Sequence, residues 1–206
     1  MSSNLTAGGG GVPERKRKAT GTLDLRQNLF RIPDNISVAL GLRWEFIGAE
    51  PVDLDASCVA FDDEGSCVDV VFFNHLKTEP TVYMEHSGDN QTGENDQREQ
   101  DDESIIMHMS HIPENVHYLM VCVTSYTGAD FTLVEKASCR LINLATKEMV
   151  GEFQLGIVGR HTATLMCSFS RVPQQEPQHP SGAQLTVPQP QTAWWDLREI
   201  NYPCAG

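Results

Sequence analysis

The chain has 206 residues and a formal net charge of −13, with 40% hydrophobic and 21% charged residues, which indicates one domain with tails. The acidic balance argues against nucleic acid and anionic membrane surfaces as partners, since phosphate recruits basic surfaces. No apolar run is long enough to cross a bilayer and no secretory signal opens the chain, so we expect a cytoplasmic protein without a membrane span.

The first segment, residues 1–22, is predicted to be a disordered tail because it is rich in glycine, serine and threonine. It carries four consecutive cations, Arg15, Lys16, Arg17 and Lys18, which we call the basic run. Such a run is typical of a nuclear-import signal, of a contact with an acidic partner, or of a solvated tail. A nuclear location therefore stays an alternative to the cytoplasmic one.

Residues 23–171 read as a series of short strands. Ile36, Val38, Leu40 and Leu42 alternate with other residues, and 54–61 and 68–73 flank the turn-rich connector 62–65, which predicts a hairpin. Further β-type runs follow at 82–84, 105–109, 118–124, 139–144, 150–155 and 164–169. Without a long helical stripe, this rhythm predicts an all-β fold, a two-layer β-sandwich with short connecting loops.

The last segment, residues 172–206, is predicted to lie outside this domain. Its first part, 172–193, is rich in proline and glutamine and reads as a linker. Trp194 and Trp195 follow it, and two interpretations stay open: they anchor a partner, or they form a strand or turn that completes the fold.

Hard oxygen ligands are concentrated in two places. Residues 85–103 contain eight acids and one arginine, and Asp53 and Asp55 stand two apart at the start of an apolar run. On a strand, residues two apart point to one side, so these two carboxylates should share a face. Calcium binds six to eight such oxygens, which predicts a Ca²⁺ site. The alternative is a solvated acidic loop. The loop's candidate ligands are Asp89, Asn90, Asp96, Asp101, Asp102 and Glu103.

Other site chemistry is less well supported by the sequence. The EF-hand pattern fails, because Cys58 occupies its sixth position when counted from Asp53. His108, His111 and His117 are spaced as a metal site would allow, but we expect surface residues around a turn. The six cysteines include no C-x-x-C pair, and we expect small buried side chains.

Several motifs together resemble one family, the tellurium-resistance, TerD-like stress proteins. The similar segments are 31–44, the D-L-D-x-S motif at 53–57, the V-F-Y-N-like segment 71–74, the G-D-N-x-T-G motif at 88–93, and D-D-E at 101–103. The resemblance implies a β-sandwich that binds calcium through these acidic motifs, has no established catalytic role and serves a stress response. It assigns the eight residues named above as metal ligands.

This chain departs from the family's pattern inside the acidic loop. Asn95 and Gln97 stand where the family has glycines, and residues 98–100 look inserted before Asp101. We therefore expect a non-enzymatic, calcium-binding module that also engages a protein partner. The alternative is a component of a larger assembly with degraded calcium sites, anchored partly by Trp194 and Trp195.

Overall fold

Two antiparallel β-sheets make up the fold. The computed structural model describes residues 23–24, 29–48, 51–92, 100–129, 131–154, 160–173 and 193–205. Its strands are β1 (Leu23–Asp24), β2 (Leu29–Pro33), β3 (Ser37–Phe46), β4 (Leu54–Phe61), β5 (Cys67–Val71), β6 (Met84–His86), β7 (Glu103–His108), β8 (Tyr118–Ser125), β9 (Val134–Asn143), β10 (Met149–Gln154), β11 (Ala163–Arg171) and β12 (Trp194–Cys204). Short 3₁₀ turns cover Met109–His111 and Phe131–Leu133.

The first sheet has seven strands in the order β1-β2-β12-β11-β8-β4-β5, and the second has five in the order β10-β9-β3-β7-β6. Buried apolar side chains from both sheets form one cluster between the layers. The predicted all-β sandwich is therefore confirmed.

Strand β3 shows how the sequence produces this arrangement. Val38, Leu40, Leu42 and Trp44 alternate along it and are buried, because a strand with one covered face needs apolar residues at every second position. The indole Nε1–H of Trp44 donates to the Val52 carbonyl at 2.8 Å, which ties β3 to the chain just before β4. This contact links the acidic start of β4, in the seven-stranded sheet, to β3 in the five-stranded sheet.

The predicted hairpin between β4 and β5 is also present. Asp62 Oδ1 accepts hydrogen bonds from the backbone N–H groups of Glu64 and Ser66, at 3.0 and 2.7 Å. Gly65 adopts a φ of 83°, a conformation that glycine reaches without strain. Asp62 and Gly65 therefore stabilise the conformation of the turn that connects β4 and β5.

The structure corrects the predicted boundary at residue 171. Residues 194–204 form β12, which lies between β2 and β11 and so belongs to the sandwich itself. Trp195 is completely buried and Trp194 half-buried, so the fold-completing interpretation holds and Trp195 cannot anchor a partner. The tail 1–22 and the linker residues 174–192 lie outside the described residues.

Cysteines and histidines are mostly as expected. Cys58, Cys139 and Cys167 are buried free thiols, whereas Cys67 and Cys204 are exposed, contrary to the expectation for all six. His108 is held by Ser37 Oγ at its Nδ1 (2.9 Å) and by Glu85 Oε1 at its Nε2 (3.0 Å). Across the described ranges, the histidines do not assemble into a metal-binding group.

Candidate metal centre

The start of β4 positions two carboxylates on one side of the sheet. Asp53 immediately precedes the strand and Asp55 is its second residue, so their side chains point the same way. They are 7% and 5% exposed. The Tyr126 N–H donates to the Asp53 carbonyl at 3.1 Å, which fixes the segment after β8 beside them.

The loop after β6 delivers a third carboxylate. Gly88 has a φ of 105° and its N–H donates to His86 Nδ1 at 3.0 Å, so the chain turns sharply at the end of the strand. Asp89 follows this turn. One carboxylate oxygen from each of Asp53, Asp55 and Asp89 lies within 4.8 Å of the other two. The predicted convergence of the two acidic segments is therefore present for these three residues.

Burial and mutual repulsion perturb these acids. Burial, followed by the charges of Glu103, Asp53 and Asp89, raises the pKa of Asp55 to about 7. Burial, then Asp89 and Glu103, also raises the pKa of Asp53. Asp53 Oδ1 is buried and accepts no hydrogen bond. Such an atom costs free energy unless a ligand satisfies it.

Glu103 supports the cluster from behind. It is 1% exposed, and its Oε2 accepts the Ala56 N–H at 2.8 Å while its Oε1 accepts the Asn90 N–H at 3.3 Å. His86 Nε2 is 3.5 Å from Glu103 Oε2. Because His86 Nδ1 accepts the Gly88 N–H, its Nε2 carries the proton and donates to the Ala56 carbonyl at 3.0 Å.

The remaining predicted ligands form ion pairs or hydrogen bonds with other residues, or lie outside the described residues. Asp101 forms an ion pair with Arg140 and lies over Gly41, where a Cβ would collide with the Asp101 carboxylate. Asp102 Oδ2 accepts the Trp44 N–H at 3.1 Å, while its Oδ1 is buried without a partner. The oxygen of the Asn90 side chain accepts the Thr92 N–H at 3.2 Å. Asp96 lies outside the described residues.

Around the three carboxylates is a cavity of about 170 Å³ with partly aromatic walls. Phe73, Gln91 and Tyr126 line it together with the acids. The Tyr126 side chain is 69% exposed and meets the Phe73 ring edge-to-face, with centroids 5.6 Å apart. Sequence reasoning missed Tyr126 at this site, because it is far along the chain and only the β4–β8 pairing brings it there.

A larger depression of about 610 Å³ lies on β3, β9 and β10. Its charged residues include Lys136 and Glu45, which pair with each other at 2.7 Å. It therefore offers less unbalanced charge than the acidic cavity. Within the described ranges, none of the helical segments has the length and apolar character needed to cross a membrane.

Known proteins resemble this chain in both sequence and fold. Tellurium resistance protein TerZ of Serratia marcescens is 39% identical over 126 residues, which cover 61% of this chain and 63% of that protein. The protein YceE of Bacillus subtilis (strain 168) is 33% identical over 150 residues, covering 68% of this chain and 76% of its own length. This chain thus spans less than two thirds of the length of TerZ.

A solved structure shares the fold. A homologue of telluride resistance protein (TerD) from Streptomyces coelicolor A3(2) superposes with a TM-score of 0.60 at 18% identity, covering 83% of this chain and 91% of that one. The model of the TerD domain matches residues 22–175, a range that includes both acidic segments. On this match, and on the relatives that share its sequence, the chain belongs to the TerD domain family.

Proposed function

We propose that this chain is a calcium-binding, non-enzymatic module that serves a stress response by engaging a protein partner. The observation that carries the proposal is the convergence of Asp53, Asp55 and Asp89, with Asp53 Oδ1 buried and unpartnered. The names of the relatives, tellurium resistance proteins among them, support the stress-response role. We further propose that the protein acts in the cytoplasm.

Electrostatics favours a bound cation at this cluster. Two unit charges about 5 Å apart repel by ~3 kcal/mol at an effective dielectric constant near 20. Three mutually close carboxylates therefore stay ionised only at a substantial cost. A divalent ion replaces the repulsion with attraction and satisfies the lone buried oxygen, so binding should stabilise the fold as well as the loop.

The donor set selects among cations. The three acids offer oxygen atoms alone, which suits hard ions such as calcium and does not suit zinc, whose sites use cysteine and histidine. Calcium–oxygen distances of about 2.3–2.6 Å allow two ligands of one ion to lie up to ~5 Å apart, and the observed limit of 4.8 Å meets this condition. Three carboxylates supply three to six oxygens, so water or backbone carbonyls complete the shell.

The proposed stoichiometry is one ion per chain at this cluster. Asp101 is paired with Arg140, and Glu103 is occupied by two backbone donors. A stoichiometry above one would place a second ion at Asp102, whose Oδ1 is, among the described residues, the other buried carboxylate oxygen without a partner.

The cavity favours binding over catalysis. Within the part of the chain that the structure describes, its lining consists of three like acids, one amide and two aromatic rings, and no nucleophile stands beside an orienting base. Repelling acids of one kind are suited to hold a cation. We therefore propose that the protein works as a binding or scaffold module.

A second candidate function, an assembly component with degraded ion sites, draws on the pairing of Asp101 with Arg140 and on the two backbone donors that occupy Glu103. Its proposed anchor at Trp195 is excluded, because that side chain is buried in the sandwich. This candidate predicts a fold that is equally stable with calcium and with chelator.

Calorimetric titration of calcium into the chelator-treated protein tests the proposal. We expect one site, loss of binding in Asp55→Ala, and no change in the matched control Glu64→Gln, which removes an exposed acid from the β4–β5 turn. Thermal unfolding should shift upward with calcium, since ligand at a hundredfold over Kd adds about 2.7 kcal/mol. If titration of the wild type gives no heat of calcium binding, and its melting temperature is the same in calcium and in EDTA, the calcium function is refuted.

A further inference from the structure

We propose that the acidic cavity also binds a primary ammonium group on an alkyl stem, the group that a free diamine or a lysine side chain carries. The acids accept the N–H groups of the ammonium, and the two aromatic rings of the cavity cover the stem. The inference goes beyond the proposed calcium function and does not rest on it, because it concerns a different ligand of the same carboxylates.

The number and spacing of the acceptors fit an ammonium group. One carboxylate oxygen from each of Asp53, Asp55 and Asp89 lies within 4.8 Å of the other two. An ammonium nitrogen donates three hydrogen bonds of about 2.8 Å to carboxylates, so three acceptors in tetrahedral directions around it lie about 4.6 Å apart. The observed limit meets this condition, so one ammonium group can donate to all three acids.

A buried oxygen of Asp53 is a second observation that points to a hydrogen-bond donor. The Asp53 residue is 7% exposed and lines the cavity. Its Oδ1 is buried and accepts no hydrogen bond from any of the described residues. A buried acceptor that has lost its water costs free energy until a donor satisfies it. A donor that enters the cavity removes this cost.

The rings of Phe73 and Tyr126 are the feature that favours an organic cation. They line the cavity together with the acids, with centroids 5.6 Å apart and planes inclined at 81°. Two perpendicular rings form an apolar corner, against which methylene groups pack, and an aromatic face attracts an ammonium within about 6 Å. A metal ion makes no use of these rings.

The volume of the cavity fits a short stem. Liquid water occupies about 30 Å³ per molecule, so a cavity of about 170 Å³ has room for roughly five to six non-hydrogen groups. A butylammonium ion, with one nitrogen and four carbons, fills this space. Because Tyr126 is 69% exposed, the cavity opens to solvent beside it, and a longer stem leaves there.

The donor geometry selects among organic cations. A guanidinium presents its donors as a planar fork that matches one carboxylate, whereas an ammonium is a compact charge with three donors in different directions. A quaternary ammonium has no N–H group, so it leaves Asp53 Oδ1 unsatisfied. We therefore expect the primary ammonium to bind most tightly, the guanidinium less tightly and the quaternary ammonium least.

Chemical-shift titration of the full chain with butylammonium, in EDTA at low salt, tests this order. Butyltrimethylammonium is the matched control ligand, because it has the same charge and stem and is attracted equally by the net charge of −13. We expect it to bind at least tenfold more weakly than butylammonium, with butylguanidinium in between. Equal affinities for the two ammonium ions overturn the proposal.

Variants of the cavity locate the site. Asp53→Asn should weaken butylammonium binding at least tenfold. Tyr126→Ala, at an exposed position where folding is not at risk, should weaken it about threefold to fivefold, while Tyr126→Phe, which keeps the ring, should not. Glu64→Gln removes one charge outside the cavity and should bind like the wild type. Binding that both Asp53→Asn and Tyr126→Ala retain in full overturns the proposal.

Two further ligands distinguish the sources of the ammonium group. Diaminobutane carries it as a free amine, and Nα-acetyl-lysine amide carries it as a protein side chain does, so the tighter ligand identifies the source. Calcium titration of the wild type separates this inference from the proposed function. Calcium uptake without butylammonium binding ends this inference alone, and butylammonium binding without calcium uptake ends the calcium function alone.

Discussion

Asp55 carries much of the electrostatic cost of placing ionised acids together in the acidic cavity. It is nearly buried, and this burial, followed by the charges of three other carboxylates, raises its pKa to about 7. In the ion-free protein its ionised form therefore opposes folding. In the proposed calcium-bound state the same charge becomes a ligand, so the proposal gives one side chain opposite effects on stability in the two states.

This reversal gives a prediction for Asp55→Asn. Without calcium the variant should be more stable than the wild type at pH 7.5, because the amide has a similar shape and removes a repelled charge. With calcium this advantage of the variant should shrink, since its calcium affinity should fall at least tenfold, or by about 1.4 kcal/mol. Urea unfolding in EDTA and in calcium measures both. A variant that is less stable than the wild type in EDTA would contradict this account of the site.

Glu103 is a structural carboxylate, in contrast to Asp55. Glu103→Ala would leave the Ala56 and Asn90 N–H groups without their acceptor in a buried place, and should lower the free energy of unfolding by about 2–4 kcal/mol. Glu103→Gln, which keeps one oxygen acceptor, should cost less. Chemical denaturation of both variants makes the comparison, and equal losses would argue against the hydrogen-bonding role.

At the scale of elements, β12 is the strand whose contribution to the stability of the fold is easiest to measure. Trp195 is fully buried, with the Arg171 guanidinium 4.5 Å above its ring, while its neighbour Trp194 is half-buried. Trp195→Ala should lower the free energy of unfolding by about 3–5 kcal/mol, because it opens a cavity in the core. Trp194→Ala is the matched control and should cost clearly less. Urea denaturation followed by far-UV circular dichroism distinguishes them.

The elements also show what the sequence could and could not predict. Alternation over residues 36–42 predicted β3, and Asp62 with Gly65 predicted the β4–β5 turn, because both signals are local. β12 was missed as part of the domain, since a proline-rich segment separates it from β11 and its pairing with β2 joins residues more than 160 positions apart. Pairing between strands that are far apart in the chain produces no signal in the local sequence.

The same distinction applies within the site. Asp53 and Asp55 were predictable because their spacing fixes a shared face, and Asp89 follows a glycine turn. The separate partners of Asp101 and Asp102 were not predictable, because Arg140 and Trp44 reach them from other strands. Tyr126 was missed for the same reason.

For the whole molecule, the acidic cluster predicts an unusual dependence of stability on pH. The folded-state pKa of Asp55, about 7, lies above its value near 3.9 in an unfolded chain. Between these values the folded state binds more protons, so in EDTA this group's contribution to stability falls as pH rises from about 4 to 7. Saturating calcium should remove the loss.

Comparison with Asp55→Asn isolates this effect from other titrating groups. In EDTA, the stability of the wild type relative to the variant should decline between pH 5 and pH 7.5. Urea unfolding of the two proteins at both pH values measures the difference. A difference that does not change with pH would mean that Asp55 titrates as an ordinary exposed acid.

The place of β12 in the middle of the seven-stranded sheet has a consequence for biosynthesis. While the ribosome is still making residues 172–193, β2 has no neighbour on one side and β11 exposes a bare edge. The apolar slot for Trp195 and Leu197 stays open until the following residues emerge. A nascent chain of this protein therefore completes its larger sheet late, and until then presents the unpaired strand edges that chaperones protect from aggregation.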